Sequence, residues 1–206
     1  MRECLLLLIT VALFLASVLP QSEPQAGEMG SARYPEVVEV MGKRLRLVGA
    51  GLRKKWFFHV YMMGVYSESG SCEAESLISS EEVKNVHLYM LRHLSADQIS
   101  DRLTQALAQN TPRDASSELR GRIRTFLALF RKELTKGASM QLTYIPEVGV
   151  LLQQNGEQQG ETTPGKDFAE ILWSAYFGSK TCCRGLKKQI LSSCRQRARI
   201  PASPLE

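Results

Sequence analysis

The sequence lacks the short motifs that mark most cofactor and catalytic sites. It has no nucleotide-binding Gly-rich loop, no His-Glu-x-x-His, no Gly-x-Ser-x-Gly and no EF-hand loop. Histidine is scarce, at His59, His87 and His93, and there is no Cys-x-x-Cys. We therefore expect neither a metal site nor a cofactor. The basic residues between Ser117 and Lys136 have no aromatics interleaved in a way that suggests nucleic-acid binding, and we expect no nucleic-acid partner.

The first residues have the layout of a secretory signal peptide. An apolar run of 15 residues, Leu5 to Leu19, ends at Pro20 and is followed by a polar segment. The run is shorter than the roughly 20 residues of a membrane span, so an uncleaved anchor is the weaker alternative. We predict a signal peptide over residues 1–26, cleaved between Ser17 and Ala26, and a secreted or lumenal protein.

Four cysteines follow the predicted signal peptide, and an even number in a secreted chain permits disulfides. They are Cys72, Cys182, Cys183 and Cys194, which allow three complete connectivities. Neighbours in sequence rarely bond, which disfavours a Cys182–Cys183 bridge. Cys183 and Cys194 would lie about 16 Å apart on one straight helix, unless Gly185 breaks it. The sequence therefore leaves the disulfide connectivity of the four cysteines open.

The formal net charge of the 206 residues is +5, and much of the excess lies between Lys180 and Arg199, a stretch without an acidic residue. Such a run is usually a solvated helix face, although it suits an anionic membrane surface too. We predict that residues 195–206 form a disordered basic tail.

The most informative stretch runs from Gly49 to Tyr66. Gly49-Ala50-Gly51 predicts a flexible turn, and the aromatic run Trp56–Tyr66 predicts a strand. Both of its alternating faces are apolar, with Phe57 on one and Phe58 on the other, so we expect an interior strand covered on both sides. Arg53 then lies at the end of an apolar layer, as in a pocket for an amphipathic ligand. The alternative is an ordinary core strand beside a solvated basic turn, and the physics of the sequence alone favours that alternative.

The remaining periodicities predict an α+β fold with an antiparallel sheet and helices packed on one face. The predicted strands and helices are a hairpin over Glu36–Met41 and Arg44–Val48, strands Val83–Leu91, Met140–Ile145 and Val150–Gln154, a short helix over Cys72–Ser80, and helices Ser95–Asn110, Ser117–Lys136, Lys166–Phe177 and Thr181–Ser193.

Several of these segments resemble the chalcone isomerase-like family in the same order, over about residues 36–192. The similar segments are Gly49–Arg53, Met63–Tyr66, Leu88–Arg92 with Ser95–Asp97, Tyr144–Gly149, Asn155-Gly156, Gly165–Phe168 and Phe177-Gly178. The resemblance implies an open sheet, helices on one face and an apolar cleft between them.

The same resemblance implies one of two functions, cyclisation of chalcones or fatty-acid binding. Arg53 matches the Arg that both groups share. Tyr61 stands where the isomerases have Thr, and their Tyr and Asn fall near Ile99 and Ala106. These departures argue against chalcone cyclisation.

The candidate ligand-binding residues are Arg53, Tyr61, Tyr66 and Arg92. A guanidinium binds a carboxylate bidentately, and a Tyr hydroxyl adds a donor. In a straight strand Tyr61 would lie about 26 Å from Arg53. The two meet only if the chain folds back, at Gly51 or at Lys54-Lys55.

We therefore hypothesise a secreted or lumenal, non-catalytic protein that binds a hydrophobic small molecule such as a fatty acid. The alternative is an intramolecular lyase for a non-flavonoid substrate, in which Arg53 and Tyr61 stabilise developing negative charge. A third reading is an interaction scaffold whose basic residues 180–199 contact a membrane.

Overall fold

Seven antiparallel strands form the main sheet, in the order β3 to β9. Their bounds are β3 Val37–Val40, β4 Lys43–Lys55, β5 Phe58–Ser67, β6 Lys84–Met90, β7 Ser139–Ile145, β8 Gly149–Gln154 and β9 Glu157–Gln158. Before β3 the chain forms a separate antiparallel pair, β1 (Gly27–Met29) and β2 (Ala32–Tyr34). The structure, a computed structural model, describes residues 27–29 and 32–199. The predicted signal peptide lies outside the described residues.

Five helices of the described chain cover one face of this curled sheet. They are α1 Ala74–Ser79, α2 Ala96–Asn110, α3 Ser117–Leu127, α4 Lys166–Phe177 and α5 Arg184–Ala198. Side chains of all five join one face of the sheet in the larger apolar core. A smaller core on the other face is built from residues of the strands and their connections. The predicted α+β class and arrangement are confirmed.

Strand β5 is buried on both faces over its second half, as predicted. Met63 and Val65 belong to the core beneath the helices, whereas Met62 and Tyr66 belong to the opposite core. The aromatic start of the predicted strand is different. Trp56 and Phe57 form a two-residue turn between β4 and β5, and they are exposed to solvent.

The predicted turn at Gly49-Ala50-Gly51 is wrong, because these residues lie inside the long strand β4. Their small size serves close packing rather than chain reversal. A Cβ atom at Gly49 would collide with the carbonyl oxygen of Ile190 and lie 2.7 Å from the hydroxyl oxygen of Ser193. A Cβ atom at Gly51 would lie 2.7 Å from a methyl group of Leu186. Helix α5 therefore crosses directly over the backbone of β4.

Helix α5 also supplies hydrogen bonds to the outer edge of β4. Strand β3 pairs only with residues 43–46 of β4. Further along, the amide oxygen of Gln189 accepts from the Leu52 N–H at 3.0 Å, and its amide nitrogen donates to the Leu52 oxygen at 3.3 Å. Arg197 donates to the carbonyl oxygens of Leu47 and Val48 at 2.9 and 2.6 Å. Covering an edge with a helix prevents that edge from pairing with another strand.

A disulfide joins Cys72 to Cys194, with the two Cα atoms 5.5 Å apart, and Cys182 and Cys183 are free thiols. It connects the segment before α1 to the last turns of α5. This is one of the pairings that the sequence left open.

Two predicted boundaries need correction. The helix predicted over Ser117–Lys136 ends at Leu127, because Leu134 leaves the helical path and pairs with Leu94 in an isolated β-bridge. The last helix runs to Ala198, so residues 195–198 of the predicted tail are helical, with Arg197 anchored on β4. Residues 200–206 lie outside the described chain.

Gly49→Ala should lower the free energy of unfolding by about 1–3 kcal/mol, since the added methyl group forces α5 away from β4. Denaturant unfolding monitored by circular dichroism measures this change. The matched control is Gly185→Ala, in the first turn of α5, where an added Cβ meets no atom within 4 Å. There we expect no loss, or a gain of up to about 1 kcal/mol from helix propensity. Equal effects at the two positions would contradict the close-packing role of Gly49.

Candidate ligand-binding cavity

A cavity of about 400 Å³ lies between the sheet and helix α2. Its apolar lining comes from β6, β7, α2, α4 and the segment between α3 and β7: Leu88, Met90, Met140, Ile99, Leu103, Ala106, Leu134 and Ala175. A second part of the wall is formed by Tyr176 together with Cys182 and Cys183, which precede α5. The volume lies within the range of small-molecule sites, which is about 300–1,000 Å³.

The β4–β5 hairpin places the two main candidates side by side. The chain reverses at Trp56-Phe57, so Arg53 and Tyr61 become cross-strand partners. The reversal therefore occurs next to Lys54-Lys55, one of the two positions considered from the sequence. Lys54 then pairs with His59, which leaves Val60 as an extra residue in β5. This bulge lets both Val60 and Tyr61 line the cavity, although neighbours in a regular strand point to opposite faces.

Arg53 is half-buried where the cavity opens to solvent. Its Nη1 donates to the carbonyl oxygen of Lys54 at 3.2 Å, and its Nη2 donates to that of Cys182 at 3.5 Å. These two contacts fix the guanidinium between the hairpin and the segment before α5. A guanidinium has five N–H donors, so others are left for an anion.

Tyr61 is a neutral hydrogen-bonding group at physiological pH. Burial raises the pKa of its hydroxyl well above the ordinary value, and the nearby Cys183 adds to this effect. The hydroxyl oxygen lies 4.0 Å from the sulfur of Cys183. Tyr61 can therefore donate a proton in a hydrogen bond to a ligand oxygen without becoming charged.

The adjacent thiols have opposite acidities. The two sulfur atoms lie 2.8 Å apart. A hydrogen bond from the Cys182 thiol lowers the pKa of Cys183 to about 7, against the effect of burial, and the positive charge of Arg53 also lowers it. The same hydrogen bond raises the pKa of Cys182. Cys183 is thus the more acidic of the two thiols beside Arg53.

Three further cations line the exposed end of the cavity. They are Lys55 on the hairpin, Arg92 after β6 and Arg102 on α2, and the lining contains no Asp or Glu within the described chain. We call Arg53, Lys55, Arg92 and Arg102 the basic mouth. Its charge favours the entry of an anion, and its apolar interior favours a hydrocarbon.

Tyr66 does not belong to this site. It lies on the opposite face of β5, in the smaller core with Tyr34 and Met62. Tyr61 and Tyr66 are five positions apart, an odd number, and side chains alternate along a strand. The grouping of Tyr66 with the cavity residues is therefore corrected, whereas Arg53, Tyr61 and Arg92 are brought together.

Several residues of the cavity lining were not predicted from the sequence. Arg102 belongs to a polar row on α2 that follows helical spacing: Gln98, Arg102, Gln105 and Gln109. That row runs beside the apolar Ile99, Leu103 and Ala106, and this juxtaposition is a signal that periodicity alone could have found. Cys182, Cys183 and Tyr176 carry no comparable local signal. Within the described chain, His, Cys, Asp and Glu side chains form no group of three that could hold a metal ion.

Comparison with known proteins agrees with this architecture. A family model described as chalcone isomerase-like matches residues 26–192. The chain belongs to the chalcone isomerase-like family. A crystal structure of a fatty-acid binding protein from Arabidopsis thaliana is similar to it with a TM-score of 0.64 at 15% sequence identity, covering 81% of this chain and 95% of that chain. At this identity the likeness shows a common fold. Among curated proteins, none matches the chain.

Arg53, the residue compared with the Arg of the chalcone isomerase-like family, lines the cavity. Ile99 and Ala106, the positions compared with the isomerase Tyr and Asn, both line the cavity with apolar atoms. The wall formed by α2 is consequently unable to position a water or a phenol at those two points.

The Cys183 thiol should react with a small alkylating reagent with an apparent pKa of about 7. Cys182→Ala should raise that pKa, because alanine removes the thiol that donates to the Cys183 thiolate. The measurement is the rate of iodoacetamide modification against pH, with the modified residue assigned by peptide mass mapping.

The matched control is Cys183→Ser. Cys182 alone should then show no alkylation with a pKa near neutrality. Alkylation of both thiols with one common pH dependence in the wild type would contradict the assignment.

Proposed function

We propose that this chalcone isomerase-like protein binds a fatty acid, or another carboxylate with a long hydrocarbon chain, and does not transform it. The observation that carries the proposal is an apolar cavity whose open end is lined by Arg53, Lys55, Arg92 and Arg102 and by no acidic residue of the described chain. The similar Arabidopsis thaliana protein, a fatty-acid binding protein, supports the same choice of ligand.

Arg53 and Tyr61 are the proposed head-group ligands. They are cross-strand neighbours at the cavity, one permanently charged and one neutral and donating. A planar guanidinium matches a carboxylate, and charge-assisted hydrogen bonds are the strongest available to a protein. The acyl chain would then extend over Met90, Leu103 and Met140. Arg92 and Arg102 would attract the ligand without holding it in one geometry.

An intramolecular lyase is the second candidate, and one arrangement favours it. Arg53 and Tyr61 adjoin the Cys183 thiol, whose pKa is lowered to about 7, so the cavity contains a charge stabiliser and a group that can accept a proton near neutral pH. Turnover of an enone substrate that Arg53→Ala abolishes would support it. Unchanged turnover would exclude Arg53 as the stabilising group.

The proposed location is a secretory lumen or the extracellular space. The layout of residues 1–26 motivates this proposal, and the Cys72–Cys194 disulfide supports it, since such bonds persist in oxidising compartments. In the described part of the chain, no helix has both the length and the apolar character needed to span a membrane.

The scaffold reading of the basic C-terminal region has less support. Arg197 donates to β4, Lys187 donates to the carbonyl oxygen of Gly178, and Arg195 pairs with Glu73. These charges have partners within the fold, so fewer remain for a membrane surface.

Arg53→Ala should weaken fatty-acid binding by about 10- to 100-fold, since a charge-assisted hydrogen bond contributes about 1.5–3 kcal/mol. Native mass spectrometry of the purified mature chain, before and after delipidation and reloading with oleate, measures occupancy. Lys54→Ala is the matched control, as Lys54 is an exposed neighbouring cation that does not line the cavity. A wild-type chain that takes up no oleate would overturn the proposal.

Ala106→Trp should abolish oleate uptake by filling the cavity from α2, because Ala106 lines it. Ala108→Trp is its control on the same helix, where the side chain is exposed and outside this cavity. Isothermal titration with oleate gives the affinities, and thermal unfolding verifies that both variants are folded. Retained binding by a folded Ala106→Trp protein would place the ligand elsewhere.

A further inference from the structure

Three large aromatic side chains project from the end of the β4–β5 hairpin. Trp56 is 86% exposed, Phe57 96% and Phe58 61%. We call these three residues the aromatic tip. Isolated exposed apolar residues are common on proteins, but three consecutive aromatics with their rings in water are not, and such clusters mark contact sites.

The fold does not explain the choice of these residues. Trp56 and Phe57 occupy a two-residue hairpin turn, where Asn, Asp and Gly are favoured. Trp56 has a φ of 57°, in the left-handed region that an aromatic residue adopts at an energetic cost. Residues that are unfavourable for their local backbone conformation, and that bury no side chain in return, are expected where function requires them.

The chemistry around the aromatic tip is cationic. Arg53, Lys54 and Lys55 precede it, and His59 follows it. The chain contains no Asp or Glu between Glu39 and Glu68. Rings flanked by Lys and Arg are the combination that binds the interface of an anionic bilayer, where the rings enter the head-group region and the cations remain at the surface.

The aromatic tip is next to the basic mouth. The guanidinium carbon of Arg92 lies 5.1 Å from the centre of the Phe58 ring, and both Arg92 and Lys55 line the cavity. A surface that receives the aromatic tip would therefore also face the open end of the cavity.

We propose that the aromatic tip inserts into the interface of an anionic lipid bilayer and brings the cavity opening to that surface. Three side chains on one turn are a small contact for a protein partner, whose stable interfaces bury more than about 1,000 Å² in total. The same three are sufficient as anchors in a bilayer interface, assisted by Lys54 and Lys55. Exchange of a ligand between the docked protein and the bilayer rests on the proposed function. The docking itself does not depend on that function.

The test compares binding of the full mature chain to vesicles of phosphatidylcholine alone and of phosphatidylcholine mixed with phosphatidylglycerol. We expect binding to the mixed vesicles, a decrease with added salt, and a blue shift of Trp56 fluorescence. The shift is recorded in a Trp173→Phe background, since Trp56 and Trp173 are the two tryptophans of the chain.

Trp56→Asn combined with Phe57→Gly should reduce binding by at least about ten-fold while giving the turn its favoured residues. Lys54→Glu should weaken binding to the anionic vesicles.

Val148→Ser is the control, an exposed apolar residue (51%) in the β7–β8 turn, and we expect it to bind as the wild type does. Oleate affinity in solution, measured without vesicles, should be unchanged in the double variant. Absence of vesicle binding by the wild type, or equal binding by the double variant, would overturn the docking and leave fatty-acid binding intact. Vesicle binding without oleate uptake would overturn the proposed function and leave the docking. Self-association of the wild type through the aromatic tip, in place of vesicle binding, would also overturn the inference.

Discussion

The direct contact between α5 and β4 is the constraint on which the cavity depends. Gly49 and Gly51 lack side chains on the face that α5 crosses, so the helix approaches the strand backbone and bonds to Leu52 through Gln189. Arg53 is two residues further along the same face, beyond the helix. Its guanidinium can therefore turn toward the cavity and reach the carbonyl oxygen of Cys182, just before α5 begins.

The electrostatics of the cavity follow from this placement. Arg53 holds a permanent positive charge beside a thiol whose ionisation it favours, so a negative charge forms next to it as the pH rises through the lowered pKa of Cys183. A carboxylate ligand and the Cys183 thiolate would compete for the same guanidinium. This competition is present above the lowered pKa of Cys183, where the thiolate has formed. It is absent below that pKa, where the thiol is neutral.

The sequence was most informative where the local residue pattern alone determines which face of an element a side chain occupies. Alternation along β5 predicted which residues face each core. Because Tyr61 and Tyr66 are an odd number of positions apart, the same alternation places them on opposite faces. The family resemblance identified Arg53, and the helical spacing on α2 contained the row with Arg102. The alternation along β5 and the row on α2, which we did not predict, need only the periodicity of a strand or a helix.

It was least informative where a distant segment decides the outcome. Gly49-Ala50-Gly51 has the composition of a turn, and only the passage of Ile190 over it, about 140 residues later in the sequence, explains why the strand continues. Leu134 has helical spacing from Leu127, yet its backbone pairs with Leu94. The thiols beside Arg53 became neighbours through the same long-range packing, which no local pattern encodes.

The Cys72–Cys194 disulfide affects more than the stability of one helix. It spans 122 residues and fixes the last turns of α5, the helix that shields the outer edge of β4. If α5 detached, the backbone groups of Leu47, Val48 and Leu52 would be presented to other chains as a template for strand addition. The bond thus holds α5 on this edge and keeps those backbone groups covered.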